Sequence, residues 1–310
     1  MLAEEEAIAK SISLFEQLVE KDSSDTFSLR QLSKLYFRNN QPEKTVECYQ
    51  KILELDPEDT WTLKRLGEKH QNEKNWDAAI DCYNSWIEAD PYDGEPKMKK
   101  LDAYKDKVSE DEDNKGKIFF NELKKYKDML DQSNDSFASF EAGYAHMIYT
   151  TGYTMTEEEM QTSMACFKQG ISQDSENLWC YWGLKMVFIK VSLSSSKLYY
   201  NDAIKMCKKA LEVEPDSARG HFELAGAYNE NYEANMKSDA IKEYRLAISL
   251  DPEFVEAYFG LAGIYRMKRM YDKAIETYQM VLDIDPTGNL ARDSHRSLIF
   301  IERNKEGGGG

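Results

Sequence analysis

The sequence predicts an all-α, right-handed superhelical solenoid of antiparallel helix pairs. Three observations carry that expectation: apolar residues recur at helical spacing, no stretch alternates as a strand does, and acid–proline pairs return at a fixed interval. Pro57 and Pro91 lie 34 residues apart, as do Pro252 and Pro286, and Pro215 precedes Pro252 by 37. Each proline follows an acid: Asp56, Asp90, Glu214, Asp251 and Asp285.

Counting back from each proline exposes one pattern. Twelve residues upstream stands Thr45, Ala79, Ala203, Ala240 or Ala274; eight upstream, Tyr49, Tyr83, Cys207, Tyr244 or Tyr278; five upstream, Ile52, Trp86, Ala210, Ala247 or Val281. Steps of four and three put these residues on one helical face. The small residue lets a neighbouring helix approach and the ring fills the space beside it. The proline then stops the helix, because the residue before it is pushed out of the helical region. An earlier helix in each unit reads Leu32, Ser33, Tyr36; then Leu66, Gly67, His70; Leu224, Ala225, Tyr228; and Leu261, Ala262, Tyr265.

This leucine–small–x–x–aromatic helix, followed by the alanines and the proline, resembles the tetratricopeptide repeat. The match is densest over residues 26–91 and 198–286. The resulting expectation is an N-terminal half-repeat helix in 1–25, with Ile12, Phe15 and Val19 on its face, and two regular repeats in 26–91. Degenerate repeats with an acidic loop (Glu110 to Asp113) fill 92–175. Within them Phe119, Leu123, Tyr126 and Leu130 make one stripe, and Met160, Met164, Phe167 and Ile171 another. Three repeats with insertions span 176–286, where Trp179, Trp182 and Gly183 open a first helix followed by a long connection from Val191 to Ser196. A capping helix occupies 287–306, and the glycines 307–310 read as a flexible linker.

Composition narrows the function classes. Hydrophobic residues make up 41% and charged residues 31%, a mixture that folds, and the net charge of −16 opposes general nucleic-acid binding. Five cysteines stand singly, without a C-x-x-C pair, which points to a reducing compartment and a cytoplasmic location. The first residues lack a signal peptide's cationic start and apolar core, and no apolar run reaches a membrane span of ~18 residues. His70 holds the slot of Tyr36, Tyr228 and Tyr265, so it is read as a packing residue. His146, His221 and His295 have no metal-site spacing, and no phosphate-binding loop or dinucleotide fingerprint occurs. We expect no enzyme, no cofactor and no metal.

What remains is surface recognition. Solenoids present a concave face built from the first helix of each repeat. Residues two before and two after the repeat leucine should face it: Arg30 and Lys34, then Lys64 and Glu68 with Arg65 adjacent. Cations there would suit a protein or peptide carrying an acidic segment; a solvated mixed-charge face is the plainer alternative. Farther along, Phe222 and Gly226 stand 37 residues before Phe259 and Gly263, with Arg219 and Arg266 at the expected rim. Two helix-interior glycines at one slot suggest room for a partner between aromatic anchors, or else close packing of adjacent first helices. Co-chaperones of the resembled family clamp acidic chaperone tails with Lys, Asn, Asn, Lys and Arg. The matching positions hold Arg30, Lys34, Arg65, Glu95 and Lys99, so both asparagines are missing and Glu95 has the wrong sign. A clamp of that kind is therefore an alternative to a general adaptor. A helical-repeat RNA binder is a second alternative, short of basic surface.

Overall fold

A computed structural model describes residues 2–110, 121, 125, 135–148, 157–194, 199–231 and 236–307. Fifteen helices and no strand occur among them, in keeping with the predicted all-α class. In chain order they are α1 (Leu2–Lys21), α2 (Thr26–Arg38), α3 (Pro42–Leu55), α4 (Thr60–Asn72), α5 (Trp76–Ala89) and α6 (Glu95–Ser109). Next come α7 (Ser136–Ile148), α8 (Glu157–Gln173), α9 (Leu178–Ser194), α10 (Tyr200–Val213) and α11 (Ala218–Glu230). The last four are α12 (Met236–Leu250), α13 (Val255–Met267), α14 (Tyr271–Ile284) and α15 (Asn289–Gly307). The stripe of Phe119, Leu123, Tyr126 and Leu130 and the acids 111–113 lie outside the described residues.

Local chemistry sets the helix ends. Asp25 and Asp59 accept hydrogen bonds from the Ser28 and Thr62 amides at 3.0 and 2.8 Å, capping α2 and α4, and Ser217 does the same for α11. Pro42 opens α3, where its missing N–H costs nothing. The turn inside three repeats is one motif. Asn40, Lys74 and Arg269, each four residues after the repeat aromatic, have φ of 53, 62 and 55°. The next residue's N–H then bonds back to the carbonyl of Tyr36, His70 or Tyr265 at 2.8, 2.8 and 2.9 Å. This left-handed closure consumes a helix-end carbonyl and turns the chain into the antiparallel second helix.

The chain clusters into two compact units, residues 1–103 with 281–296, and residues 104–280 with 297–310. In the first, α1 lies on the pair α2/α3: Ile12 joins Leu29, Leu32, Tyr36, Cys48 and Ile52, with Phe15 and Val19 against them. The second pair, α4/α5, buries Leu63, Leu66, Ala79, Tyr83 and Trp86. In the second unit, α11 to α15 share a core of Ala225, Ala240, Tyr244, Leu261, Ala262, Tyr265, Ala274, Tyr278 and Ile301.

Every residue assigned to the three second-helix slots is buried; Ala79, Ala203, Ala240 and Ala274 have no exposed surface at all. That is the close approach the small side chain permits. One expectation needs correction: Val191 to Ser194 belong to α9, not to a connection. Val187 and Val191 carry the buried face onward, and the Ser192 hydroxyl donates back to the Phe188 carbonyl at 2.8 Å, so the helix does not end there. All five cysteines are free thiols, four buried and Cys82 half-buried. Burial pushes their pKa up, to about 11 for Cys48, Cys82 and Cys166 and about 12 for Cys180 and Cys207. No described helix is long and apolar enough to cross a membrane.

Candidate partner-binding faces

Helices α2 and α4 are neighbours in the first unit, and the face they share is centred on Trp61. Its ring lies under three cations at once: Arg30 at 5.3 Å, Lys34 at 5.8 Å and Arg65 at 5.6 Å from the centroid. Tyr49 meets it edge-on, with ring centroids 5.9 Å apart. Sequence reasoning named the cations and missed the ring. The signal was present: Trp61 stands four residues before Arg65, hence one turn away on the same face of α4.

The cations are already engaged by acids of the same chain. Arg30 pairs with the buried Asp59, and Lys64 meets Glu95 at 2.9 Å while lying over the Trp86 ring. Arg65 bonds Glu68 at 3.0 Å and Asp285 at 2.7 Å; Glu68 also takes Lys99 at 2.8 Å. Burial alone would raise the Glu68 carboxyl, yet the charges of Lys99, Arg65 and Lys64 outweigh it and hold the pKa below its ordinary value. Of the clamp-like positions, Arg30, Arg65, Glu95 and Lys99 are therefore all committed to partners within the chain.

The second face belongs to α11 and α13. Phe222 and Phe259 are half-buried. Phe222 touches Tyr244 and Phe254 at 5.9 and 5.0 Å between centroids, and Phe259 meets Tyr278 at 5.7 Å. Both rings therefore serve the core as well as the surface. The glycines beside them do not. A Cβ built on Gly226 would meet no heavy atom within 4 Å, and one on Gly263 only the Tyr278 hydroxyl at 4.0 Å. By contrast, a Cβ on Gly67, Gly183 or Gly260 would collide with Tyr83, Phe167 or Tyr244. Close helix packing explains those three glycines and leaves Gly226 without an explanation.

Both arginines are half-buried and engaged within the chain. Arg219 lies among aromatic rings, 5.2 Å from Trp179, 5.7 Å from Trp182 and 5.5 Å from Phe222, and it bonds Glu223 at 2.8 Å. Glu223 also binds Lys185. Here too burial opposes the carboxylate, and Lys185 with Arg219 more than offsets it, lowering the pKa. Arg266 lies over the half-exposed ring of Phe300, 5.6 Å from its centroid. It therefore holds an aromatic of α15, which the repeat pattern alone did not reveal.

Tetratricopeptide-repeat family models match residues 31–59 and 255–287. No curated protein matches the chain. Among solved structures, a thermophilic TPR protein of Thermus thermophilus, TTC0263, is 15% identical, with 77% of this chain and 99% of that chain covered and a TM-score of 0.48. YrrB, described as a TPR protein with an unusual peptide-binding site, is 16% identical over 80% of this chain and 97% of its own, with a TM-score of 0.38. MamA is likewise 16% identical, over 71% and 95%, at 0.38. Likenesses of that strength carry no argument about function. Two matched segments, buried slots that recur at the repeat interval and shared left-handed turns lead to one conclusion: the chain carries tetratricopeptide repeats.

Proposed function

We propose that the chain is a non-catalytic scaffold or adaptor, holding a segment of a partner protein against the first helices of its repeats. The tetratricopeptide fold suggests protein–protein interaction. The observation that supports a specific face is the empty space over Gly226, next to the half-buried ring of Phe222. A glycine in a helix interior costs about 1 kcal/mol relative to alanine. Where no neighbour would clash with a methyl group, that cost is explained by something outside the chain that comes close to the backbone. Gly263 with Phe259 repeats the arrangement one unit on, and aromatic anchors beside an open slot suit an extended strand or a helix. The test is Gly226→Leu with Gly263→Leu, followed by capture of partners from native lysate. Lost partners at an unchanged melting temperature support the reading. Lower stability, with binding per folded molecule unchanged, would reject it.

For the first unit, the three cations around Trp61 favour a partner segment that carries carboxylates. Changing Arg30, Lys34, Lys64 and Arg65 together to Glu should weaken an acidic peptide, and the wild-type affinity should fall between low and physiological salt, since exposed charges are screened within about 8–10 Å. Affinity indifferent to both changes would end this part of the reading. A chaperone-tail clamp is less favoured, because Glu95 occupies a clamp position and pairs with Lys64. RNA is disfavoured by the net charge of −16. Single buried thiols fit residence in the cytoplasm.

A further inference from the structure

Five acid–proline pairs close the second helices of the repeats, and four of them are alike. Asp56, Asp90, Glu214 and Asp251 are exposed, as are Pro57, Pro91, Pro215 and Pro252. Each of those aspartates accepts a hydrogen bond from the amide two residues on, at 2.9–3.1 Å, which forms the turn. Asp285 makes the same turn bond to the Thr287 amide at 3.2 Å and adds the Gly288 amide at 3.0 Å. Yet Asp285 and Pro286 are buried, Asp285 to 3% exposure. What covers them is the rest of the first unit. The second carboxylate oxygen of Asp285 binds Arg65 at 2.7 Å, the Tyr49 hydroxyl donates to the Thr287 hydroxyl at 3.4 Å, and the Asn72 amide donates to Asn289 at 2.7 Å. Arg38 reaches Asp283 at 3.6 Å. The turn thus sits in a pocket whose residues come from α2, α3 and α4.

The charges show why that pocket needs an anion. Arg65 and Lys99 face Glu68 and Asp285, two cations and two acids in a largely buried cluster. Without Asp285 the cations would outnumber the acids, and an uncompensated buried charge is strongly unfavourable. The turn itself has no such need, because its four exposed counterparts form without a buried cation. Gly288 completes the fit: a Cβ there would overlap the Asp285 carboxylate and lie 3.0 Å from the Arg65 guanidinium.

We propose that the Arg65–Tyr49 pocket is a receptor for an acid–proline turn, that the chain's own Asp285–Gly288 segment fills it at rest, and that a partner's carboxylate-bearing segment binds by displacing that segment. This rests on the acidic-segment reading of the first unit and adds its regulation: the site is held shut by an internal ligand. A tethered ligand competes with an advantage that a free peptide must overcome, so the resting protein binds weakly until the internal turn is released.

The test uses the full chain and a fluorescein-labelled peptide copying residues 282–290 as probe, read by fluorescence anisotropy. Asp285→Asn keeps the oxygen that accepts the turn amides and removes the charge from Arg65. It should bind the probe at least tenfold more tightly than the wild type, and adding Arg65→Gln should reverse the gain. Equal affinity of wild type and Asp285→Asn, with both dependent on Arg65, would overturn the internal-ligand proposal while leaving the acidic groove in place. Binding by no folded variant would overturn both. A second measurement needs no variant: saturating probe should speed hydrogen exchange at the Thr287 and Gly288 amides of the wild type at least fivefold, and unchanged exchange there overturns the displacement.

Discussion

In α2 and α4 the residues two before and two after the repeat leucine are Arg30, Lys34, Lys64 and Glu68; in α11 and α13 they are Phe222, Gly226, Phe259 and Gly263. The same positions carry charge in one unit and rings with empty slots in the other. The positions between them scarcely change: Leu32, Leu66, Leu224 and Leu261 are all buried, and Ser33, Ala225 and Ala262 have no exposed surface. A tetratricopeptide repeat therefore separates two tasks within a single turn of helix. Residues that face the paired helix are held to size and shape, whereas their neighbours two positions away are free to differ from unit to unit. The two units would then suit segments of different chemistry, one acidic and one apolar.

The largest expected effect tests whether buried charge is structural in the second unit. Glu223→Leu should cost about 3–5 kcal/mol, because Lys185 and Arg219 would lose their shared carboxylate in a buried place. Replacing Lys185 by Met in the same chain should recover a large part of that loss. A Glu223→Leu chain that melts with the wild type would break the comparison.

The pair also sets a pH window. The Glu223 pKa is lowered from 4.5, so its contribution is fully present above pH 4.5 and is lost as pH falls through the depressed value. The Lys185 pKa, which burial would lower and Glu223 raises on balance, stands above 10.5; that contribution holds below pH 10.5 and is lost as pH rises through the folded value. Urea unfolding followed from pH 7 down to pH 3 should decline less steeply in Glu223→Leu than in the wild type.

A smaller effect checks the register. Ala79→Trp in the first unit and Ala274→Trp in the second should each cost about 1–3 kcal/mol by overpacking, and similar losses would show that the inner slots are equivalent. The smallest effect is the sharpest, because it differs in sign. Gly226→Ala should stabilise by up to about 1 kcal/mol, since the methyl meets open space. Gly260→Ala should destabilise by a similar amount, as its Cβ would lie 2.5 Å from the Tyr244 ring. Thermal unfolding of the two variants gives the answer, and equal shifts would remove the distinction between open and packed glycines.

The buried slots were legible in the sequence because a fixed period repeats each steric demand several times, so Ala203 or Tyr278 can be placed by counting from a proline. Repetition also made the second-unit pairs visible, Phe222 with Phe259 and Gly226 with Gly263. It cannot report a residue whose role is used once. Trp61 is such a residue, since its importance comes from Arg30 and Lys34 on another helix. Asp285 is a harder case: by sequence it is one of five equal acids, and its bond to Arg65 joins residues 220 positions apart. The ring contacts of Arg219 were hidden for a related reason. Its neighbours Trp179 and Trp182 lie on α9, and the spacing along α11 could not show that they meet it.

The thiols offer a practical consequence. Maleimide and iodoacetamide chemistry runs through the thiolate, and burial keeps all five native cysteines protonated at neutral pH, with pKa values of about 11 or 12. A cysteine placed on an exposed helical position has an ordinary value near 8.5 and, on thiolate fraction alone, should react roughly 300-fold faster or more, before access is considered. Dyes can then be attached at chosen sites, such as one beside Gly226 and one beside Trp61, without first deleting the native cysteines. The repeats that shield those thiols would leave each candidate face separately reportable in a single intact chain.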